Sequence, residues 1–290
     1  MCGFVGLFGN PNIIEKKKGL IKSINNSVEI IHHRGPSSTN TIQKKNLIVG
    51  FKRLAIQDLS HNGDQPMVSD DNRFTILFNG NIHNFKKLKE NLLKKNKNLK
   101  FNSTSDTEVL LQLYKQKKSK MVKLLNGQFS IVIYDKKKNE IFITNDRFGQ
   151  KPFYYIIYKD IFFFSSEVKA FLPLIKKFNI PWKINKNLIN EYFCYRTNLG
   201  QNTLIECVKR FKNGYYAYYN LKNGFRYNKY FDYNLNTFNP KKKISLKKET
   251  ANIEKLLHSS IKDQLISDVP VGLTLSGGLD SSIILKFING

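Results

Sequence analysis

Two pairs of apolar runs, each pair joined by a short polar turn, constrain the fold of this chain most. Residues 129–134 and 141–144 flank the turn 135–139, and residues 153–158 and 161–164 repeat the arrangement. Each pair reads as a β-hairpin. An isolated hairpin is marginal in water, so these must join further strands with an apolar face to bury. Candidates lie nearby. Residues 3–9 read as a short buried strand between glycines, 47–56 as a strand, and 74–78 as a strand halted by the turn dipeptide Asn79-Gly80. Helical spacing marks 14–31, which ends at His32-His33-Arg34-Gly35-Pro36, and also 85–93. A further helix over 105–114 opens with the capping pattern Ser105-Asp106-Thr107-Glu108. Strands and helices fall in blocks rather than in strict alternation, which predicts an α+β domain.

The second half changes character. Pro173, Pro181 and Pro240 punctuate residues 173–245, and 215–219 and 225–233 look like strands. We read 2–172 as the first domain and 173–245 as its tail and a connector. Residues 247–266 form one amphipathic helix, 271–275 a short apolar strand, and a Gly/Ser-rich loop then leads into another helical run. Residues 246–290 therefore read as the start of a second domain, of α/β type. One strand and two helices cannot cover their own apolar faces, so the chain reads as a C-terminally truncated fragment.

The formal charge of +26 invites a nucleic-acid reading. The excess is almost all Lys, with only 7 Arg, in a chain also rich in Asn, Ile and Phe. Codon bias accounts for that composition. The lysine runs 16–18, 136–138 and 241–243 lie between periodic segments, as solvated turns do. No specific nucleic-acid partner is expected, only weak salt-sensitive adhesion to polyanions. No run approaches the ~18 apolar residues of a membrane span, so no membrane partner is expected. Cys2, Cys194 and Cys207 make neither a disulfide framework nor a metal-ligand spacing. That favours a reducing cytoplasm, with Cys194 and Cys207 as small buried hydrophobes.

Cys2 follows the initiator Met. Once Met1 is removed, the free α-amine, with a pKa of about 8, stands beside the thiol as its own general base. The plain alternative is an incidental cysteine at a frayed terminus. Arg53 follows a strand and could fork onto a carboxylate or form a surface ion pair. The segment Phe78-Asn79-Gly80-Asn81 reads as a tight turn, offering an amide and an N–H to an oxyanion or serving only as a turn. Asp106 could hold an ammonium or cap its helix.

Taken together, Met1-Cys2-Gly3, His33-Arg34-Gly35-Pro36, Arg53-Leu54-Ala55-Ile56, Asn79-Gly80, Ser105-Asp106-Thr107-Glu108, Asn126-Gly127-Gln128-Phe129, Asp146-Arg147-Phe148-Gly149 and Lys151-Pro152 stand in one order. In that order they resemble the class II glutamine amidotransferases, and within them the glutamine-hydrolysing asparagine synthetase branch. The resemblance implies an Ntn-hydrolase αββα sandwich followed by an ATP-pyrophosphatase domain. It implies Cys2 as the nucleophile, with the Asn79 side chain and the Gly80 N–H as oxyanion hole. It implies a glutamine pocket from Arg53, Leu54, Ala55, Ile56, Gln57, Asn79, Gly80, Asn81 and Asp106, with Arg53 on the α-carboxylate and Asp106 on the α-ammonium.

The loop Ser276-Gly277-Gly278-Leu279-Asp280-Ser281-Ser282 joins a strand to a helix, a geometry that cradles anions. It lacks the Gly-Lys-Ser/Thr ending of a Walker A loop. It resembles the pyrophosphate loop of N-type ATP pyrophosphatases. That implies ATP as cofactor at Leu275, Ser276, Gly277, Gly278, Asp280, Ser281 and Ser282, with magnesium near Asp280. The activity implied is amidation of aspartate, or of another carboxylate such as a sugar acid or peptide in surface-polymer synthesis, by a homodimer when full length. The chain departs from the family pattern at Ser37 and Asn81, where acidic residues are usual, and at His83 in place of an aromatic.

Overall fold

The computed structural model describes residues 1–233 and 245–289, which fall into two compact units, Met1–Asp232 and Tyr233–Gly290. The unit boundary leaves Pro240 and the lysine run 241–243 outside the described residues.

The first unit runs β1 (Gly3–Gly9), α1 (Pro11–Lys16), α2 (Leu20–Ile30), β2 (Ser38–Lys44), β3 (Leu47–Arg53), β4 (Met67–Val68), β5 (Phe74–Ile82), α3 (Phe85–Lys95) and α4 (Asp106–Lys117). It continues through β6 (Gly127–Asp135), β7 (Glu140–Asn145), β8 (Tyr154–Tyr158), β9 (Ile161–Ser165), α5 (Leu172–Phe178), α6 (Asn187–Tyr195), β10 (Lys209–Arg210), β11 (Tyr215–Asn220) and β12 (Gly224–Lys229). Two antiparallel sheets result, in the orders β10-β8-β9-β1-β3-β2 and β12-β11-β7-β6-β5-β4.

Alternation along the strands makes the layers. On β1, Phe4 and Phe8 face the second sheet, while Val5 and Leu7 face α2 and α5. The core between the sheets is aromatic: Phe162 stacks on Tyr219 of the other sheet with centroids 4.5 Å apart. On the far side Tyr114 of α4 packs on Phe74 and Phe142 of the second sheet. The order is helix, sheet, sheet, helix, which is the expected αββα sandwich. Each fully buried Phe in it is worth about 1.5–3 kcal/mol of apolar transfer.

Several local expectations are corrected. The single helix over 14–31 is two: α1 stops at Lys16, and Gly19 at φ +74° is the N-cap from which α2 starts. Asn79-Gly80 is no turn. β5 runs straight through it, pairing Asn79 with Ser130 and Gly80 with Phe129 on β6. The partner strand overrides the local turn preference. Cys194 is exposed, because α6 buries none of its residues. Past residue 172, β10 joins the first sheet while β11 and β12 extend the second.

In the second unit, α7 (Leu246–Gln264) and α8 (Leu279–Asn289) pack together, with Lys286 3.6 Å from Glu254 and His258 edge-on to Phe287. Residues 271–275, expected as a strand, take no regular structure. A strand exists by pairing, and no other strand is described in this unit. Among the described residues no helix is long and apolar enough to cross a membrane.

Candidate active site

Cys2 stands at the head of β1, half-buried, beside the point where the chain leaves β3. The Leu54 N–H donates to its Sγ at 3.4 Å, and the thiol donates back to the Leu54 carbonyl at 3.7 Å. Burial pushes the Cys2 thiol above its ordinary range, with the Leu54 contact opposing. The thiol therefore needs a base. Burial, aided by the charges of Arg34 and Lys151, lowers the chain's terminal amine, which sits on Met1 in the full sequence.

The Cys2 carbonyl is held from two sides. Arg34 Nε donates to it at 2.8 Å. The Asn79 amide, oriented so that both its ends are satisfied, donates to it at 3.0 Å and accepts from Arg34 Nη2 at 3.2 Å. Arg34 Nη1 is paired with Glu167 at 2.9 Å, and His33 Nε2 shares that carboxylate oxygen. Asn79 reaches the thiol end of β1 because β5 continues past residue 78. Gly80 is next, and a Cβ there would lie 2.2 Å from the Gln128 carbonyl, so no larger residue fits beside β6.

Cys2, Arg53, Leu54, Ile56, Gln57, Asn79, Gly80, Asn81 and Asp106 all line one cavity of about 150 Å³. Ala55 does not line it. Its N–H turns instead to Ser37 Oγ at 3.2 Å. Arg53 is buried and much engaged by the loop after β3: Nη1 donates to the Ser60 carbonyl at 2.7 Å and to Asp64 at 2.9 Å, and Nη2 donates to the carbonyls of Gln57 and Asp58. Burial would raise the Asp64 carboxyl, but hydrogen bonds from His61, Ser38 and Arg53 hold it below its usual range.

Asp106 is the first residue of α4, after the N-cap Ser105, whose own side chain makes no capping bond. The Asp106 Oδ2 accepts from the Ile82 N–H at 3.0 Å, tying the helix to β5. Burial pushes its carboxyl up to about 7, against the backbone bonds that favour its charge. Glu108 accepts from the N–H groups of Asn102 and Ser103 at 3.0 and 2.6 Å, pinning the loop before the helix. Asn81 Oδ1 accepts from Gln57 Nε2 at 2.9 Å.

Sequence reasoning passed over four residues here. Arg34 and Glu167 fix the Cys2 carbonyl. Gln65 bonds both the N–H and the carbonyl of Phe78 and so pins β5. Lys151, nearly buried, lines the cavity with its Nζ 3.0 Å from Met1 Sδ, and burial lowers its pKa. For Arg34 and Lys151 the signal was their place in the His-Arg-Gly-Pro and Lys-Pro motifs. Gln65 and Glu167 carried none.

The loop before α8 lies in the second unit. Gly277 has φ +77°, and nothing lies within 4 Å of a Cβ built on it. Ser276 Oγ lies 3.0 Å from Ser281 Oγ, and Ser281 and Ser282 donate to the Gly278 carbonyl at 3.2 and 2.9 Å. Open space, hydroxyls and a helix start suit an anion. Asp280 lies in the first turn of α8, and among the described residues no three His, Cys, Asp or Glu side chains gather as a metal site. The chain's own residues offer magnesium one carboxylate, which suits an ion held mainly by phosphate oxygens.

Known proteins match this arrangement. The glutamine amidotransferase domain family matches residues 1–231, and the asparagine synthase family matches residues 252–289. Asparagine synthetase [glutamine-hydrolyzing] 1 of Bacillus subtilis is 33% identical over 288 residues, 99% of this chain and 43% of that protein. A putative asparagine synthetase [glutamine-hydrolyzing] of Methanocaldococcus jannaschii is 35% identical over 98% of this chain and 56% of its own length. The chain thus spans about half the length of the curated relatives it matches. Among solved structures, glutamine phosphoribosylpyrophosphate amidotransferase from B. subtilis aligns with a TM-score of 0.55 at 17% identity, over 79% of this chain and 49% of that one. That likeness shows the fold. With a family match over residues 1–231, the chain belongs to the glutamine amidotransferase domain family, and over nearly its whole length it is similar to glutamine-hydrolysing asparagine synthetases.

Proposed function

We propose that residues 2–172, with their tail, hydrolyse glutamine at Cys2 and that residues 246–290 begin a domain that spends the ammonia. The observation that carries this reading is the meeting of Cys2, Asn79, Arg53 and Asp106 in one cavity. Removal of Met1 frees the Cys2 α-amine. It takes the thiol proton, and the sulfur attacks the glutamine amide carbon. The Asn79 amide and the Gly80 N–H receive the negative oxygen. Ammonia leaves with the proton, and water then cleaves the thioester to glutamate. Arg53 receives the α-carboxylate and Asp106 faces the α-ammonium, with Leu54 to Gln57 as pocket wall.

ATP bound in the second domain would supply the activation, to AMP and pyrophosphate, that lets ammonia amidate the acceptor carboxylate. The loop from Ser276 to Ser282 would hold the ATP phosphates on its N–H groups and hydroxyls, with Leu275 at the nucleotide and Asp280 as a ligand for magnesium. Aspartate is the acceptor, and asparagine the product. The whole enzyme is a cytoplasmic homodimer without a nucleic-acid or membrane partner. A second reading keeps the glutaminase and changes the acceptor to another carboxylate, such as a sugar acid or peptide. Not every relative carries the asparagine synthetase name: an amidase, chry2, of Gibberella zeae is 25% identical over 100% of this chain and 43% of that protein.

The test is a glutaminase assay. The parent should release glutamate and ammonia from glutamine, and Cys2→Ala should release neither. Equal activity in the two proteins would end the reading.

A further inference from the structure

The chain has only 7 Arg, and in a sequence so rich in Lys their placement is informative. Four pair with carboxylates: Arg34 with Glu167, Arg53 with Asp64, Arg73 with Asp135 and Arg226 with Glu140. Arg147 lies over the ring of Phe231. The other two, Arg196 and Arg210, have no carboxylate within ion-pair reach among the described residues, and both line one cavity of about 450 Å³ in the first unit. Small-molecule sites run from about 300 to about 1,000 Å³, so this cavity has the size of one.

The cavity is built from the end of α6 and the loop that follows. Arg196 terminates α6 with φ at +54°. Glycine fills such left-handed positions at least cost, so an arginine here keeps strain that glycine would relieve. Arg210 stands on β10 directly opposite Tyr154 of β8, which puts both side chains on one face of the sheet. Its Nη2 donates to the Gly149 carbonyl at 3.3 Å, which steadies the guanidinium. Asn198 Nδ2 donates back to the Leu188 carbonyl at 3.1 Å and Glu191 accepts from the Leu199 N–H, so the loop is tied to α6. No described Asp or Glu lines the cavity, and Tyr154, Tyr192, Leu204 and Ile205 form its apolar wall.

Two guanidinium groups without a counter-charge, set beside aromatic rings, select the ligand. A single carboxylate offers one charge. A phosphate monoester carries about 1.5 to 2 at pH 7 and has three oxygens to share between two forks. The tyrosine rings suit a flat body attached to that phosphate. We propose that this cavity binds a nucleoside monophosphate, with the phosphate shared by Arg196 and Arg210 and the base against Tyr154 and Tyr192. The cavity shares no residue with the one at Cys2, so the site stands whether or not Cys2 hydrolyses glutamine.

The experiment is calorimetric titration of the chain with AMP, UMP, adenosine and inorganic phosphate. AMP or UMP should bind about tenfold tighter or more than phosphate or adenosine, each of which lacks one half of the ligand. Arg196→Gly relaxes the backbone at its position, and Arg210→Met keeps an apolar stem. Each should weaken the nucleotide about tenfold or more, the size of one lost charge-assisted bond. Two controls locate the site. Lys18→Met, in a cavity lined by lysines, should leave the affinity within about twofold, as an exposed charge does. So should Ser276→Ala combined with Ser281→Ala, which strips hydroxyls from the loop before α8. If Arg210→Met fails to fold, Arg196→Gly decides alone. Binding of neither nucleotide, phosphate binding as tightly as AMP, an equal loss in Lys18→Met, or a loss confined to the loop variant would overturn the proposal.

Discussion

Arg34, in the short helical turn 32–34 that follows α2, donates its Nε to the carbonyl of Cys2 at 2.8 Å, while Glu167 holds its Nη1 at 2.9 Å. The guanidinium thus fixes the one peptide group that the nucleophile shares with its neighbour, and its Nη2 meets the Asn79 amide as well. Arg34→Lys keeps the charge but cannot make three bonds in one plane. We expect kcat for glutamine hydrolysis to fall about ten- to a hundredfold, the worth of a misplaced charge-assisted bond. KM should stay within about twofold, because Arg34 does not line the cavity. Steady-state kinetics at matched thermal stability checks this, and a change confined to KM would refute it.

Met1 bears on the same chemistry. It lines the mouth of the cavity, and as long as it remains, the nitrogen of Cys2 is an amide with no basicity. Burial pushes the thiol up, and the α-amine freed by loss of Met1 would stand beside it as its base. Intact-mass measurement of active protein should therefore show loss of one methionine. Full activity with Met1 retained would require a different base.

The fold was legible wherever apolar alternation was long enough to fix a face, as in β6, β7, β8 and β9. It failed where tertiary pairing overrode a local signal. Asn79-Gly80 has the composition of a turn, yet β6 lies alongside and keeps the strand going for four residues past Phe78. That extension carries Asn79 and Asn81 onto one face of the cavity, so the misread turn and the site are the same fact. The site was legible as a set of motifs, and all but Ala55 of the expected pocket residues meet in one cavity. The supporting groups were not legible. Glu167 lies 133 residues from Arg34, and no local pattern announces such a pair.

The raised carboxyl of Asp106 gives a pH dependence with a definite sign. Burial favours its neutral form, so below about 7 it offers an ammonium no charge. KM should rise as pH falls through about 7, on the order of tenfold between about pH 8 and about pH 6 if only the carboxylate binds. In Asp106→Asn that dependence should vanish and KM should be high throughout. Stability runs the other way. A carboxyl whose folded pKa is raised stabilises the fold only while protonated, so its contribution is lost as pH rises from about 4 to about 7. Asp106→Asn should therefore melt higher than the parent above pH 7 in the absence of ligand. A lower melting temperature there would show that the charge is already compensated.

The last prediction concerns position 81, where an amide stands in a pocket built for a cationic group. Asn81→Glu places a carboxylate where Gln57 Nε2 can still donate to it, so the contact at 2.9 Å survives in kind. The new charge faces the end of the cavity opposite Cys2. A charge-assisted hydrogen bond is worth about 1.5–3 kcal/mol and a neutral one about 0.5–1.5, a difference on the order of 1 kcal/mol. That corresponds to a fall in KM of roughly three- to tenfold. The ammonium keeps its charge throughout the reaction, so the gain is uniform binding and kcat should hardly move. A second carboxylate beside Asp106 also raises the pH at which Asp106 ionises, since like charges oppose each other. The improvement should accordingly be largest above about pH 8 and shrink toward neutrality. Glutaminase kinetics of parent and variant across that range provide the check. An unchanged KM at high pH would mean that Asp106 already satisfies the ammonium. A fall in kcat with KM constant would mean that position 81 reaches the reacting amide instead.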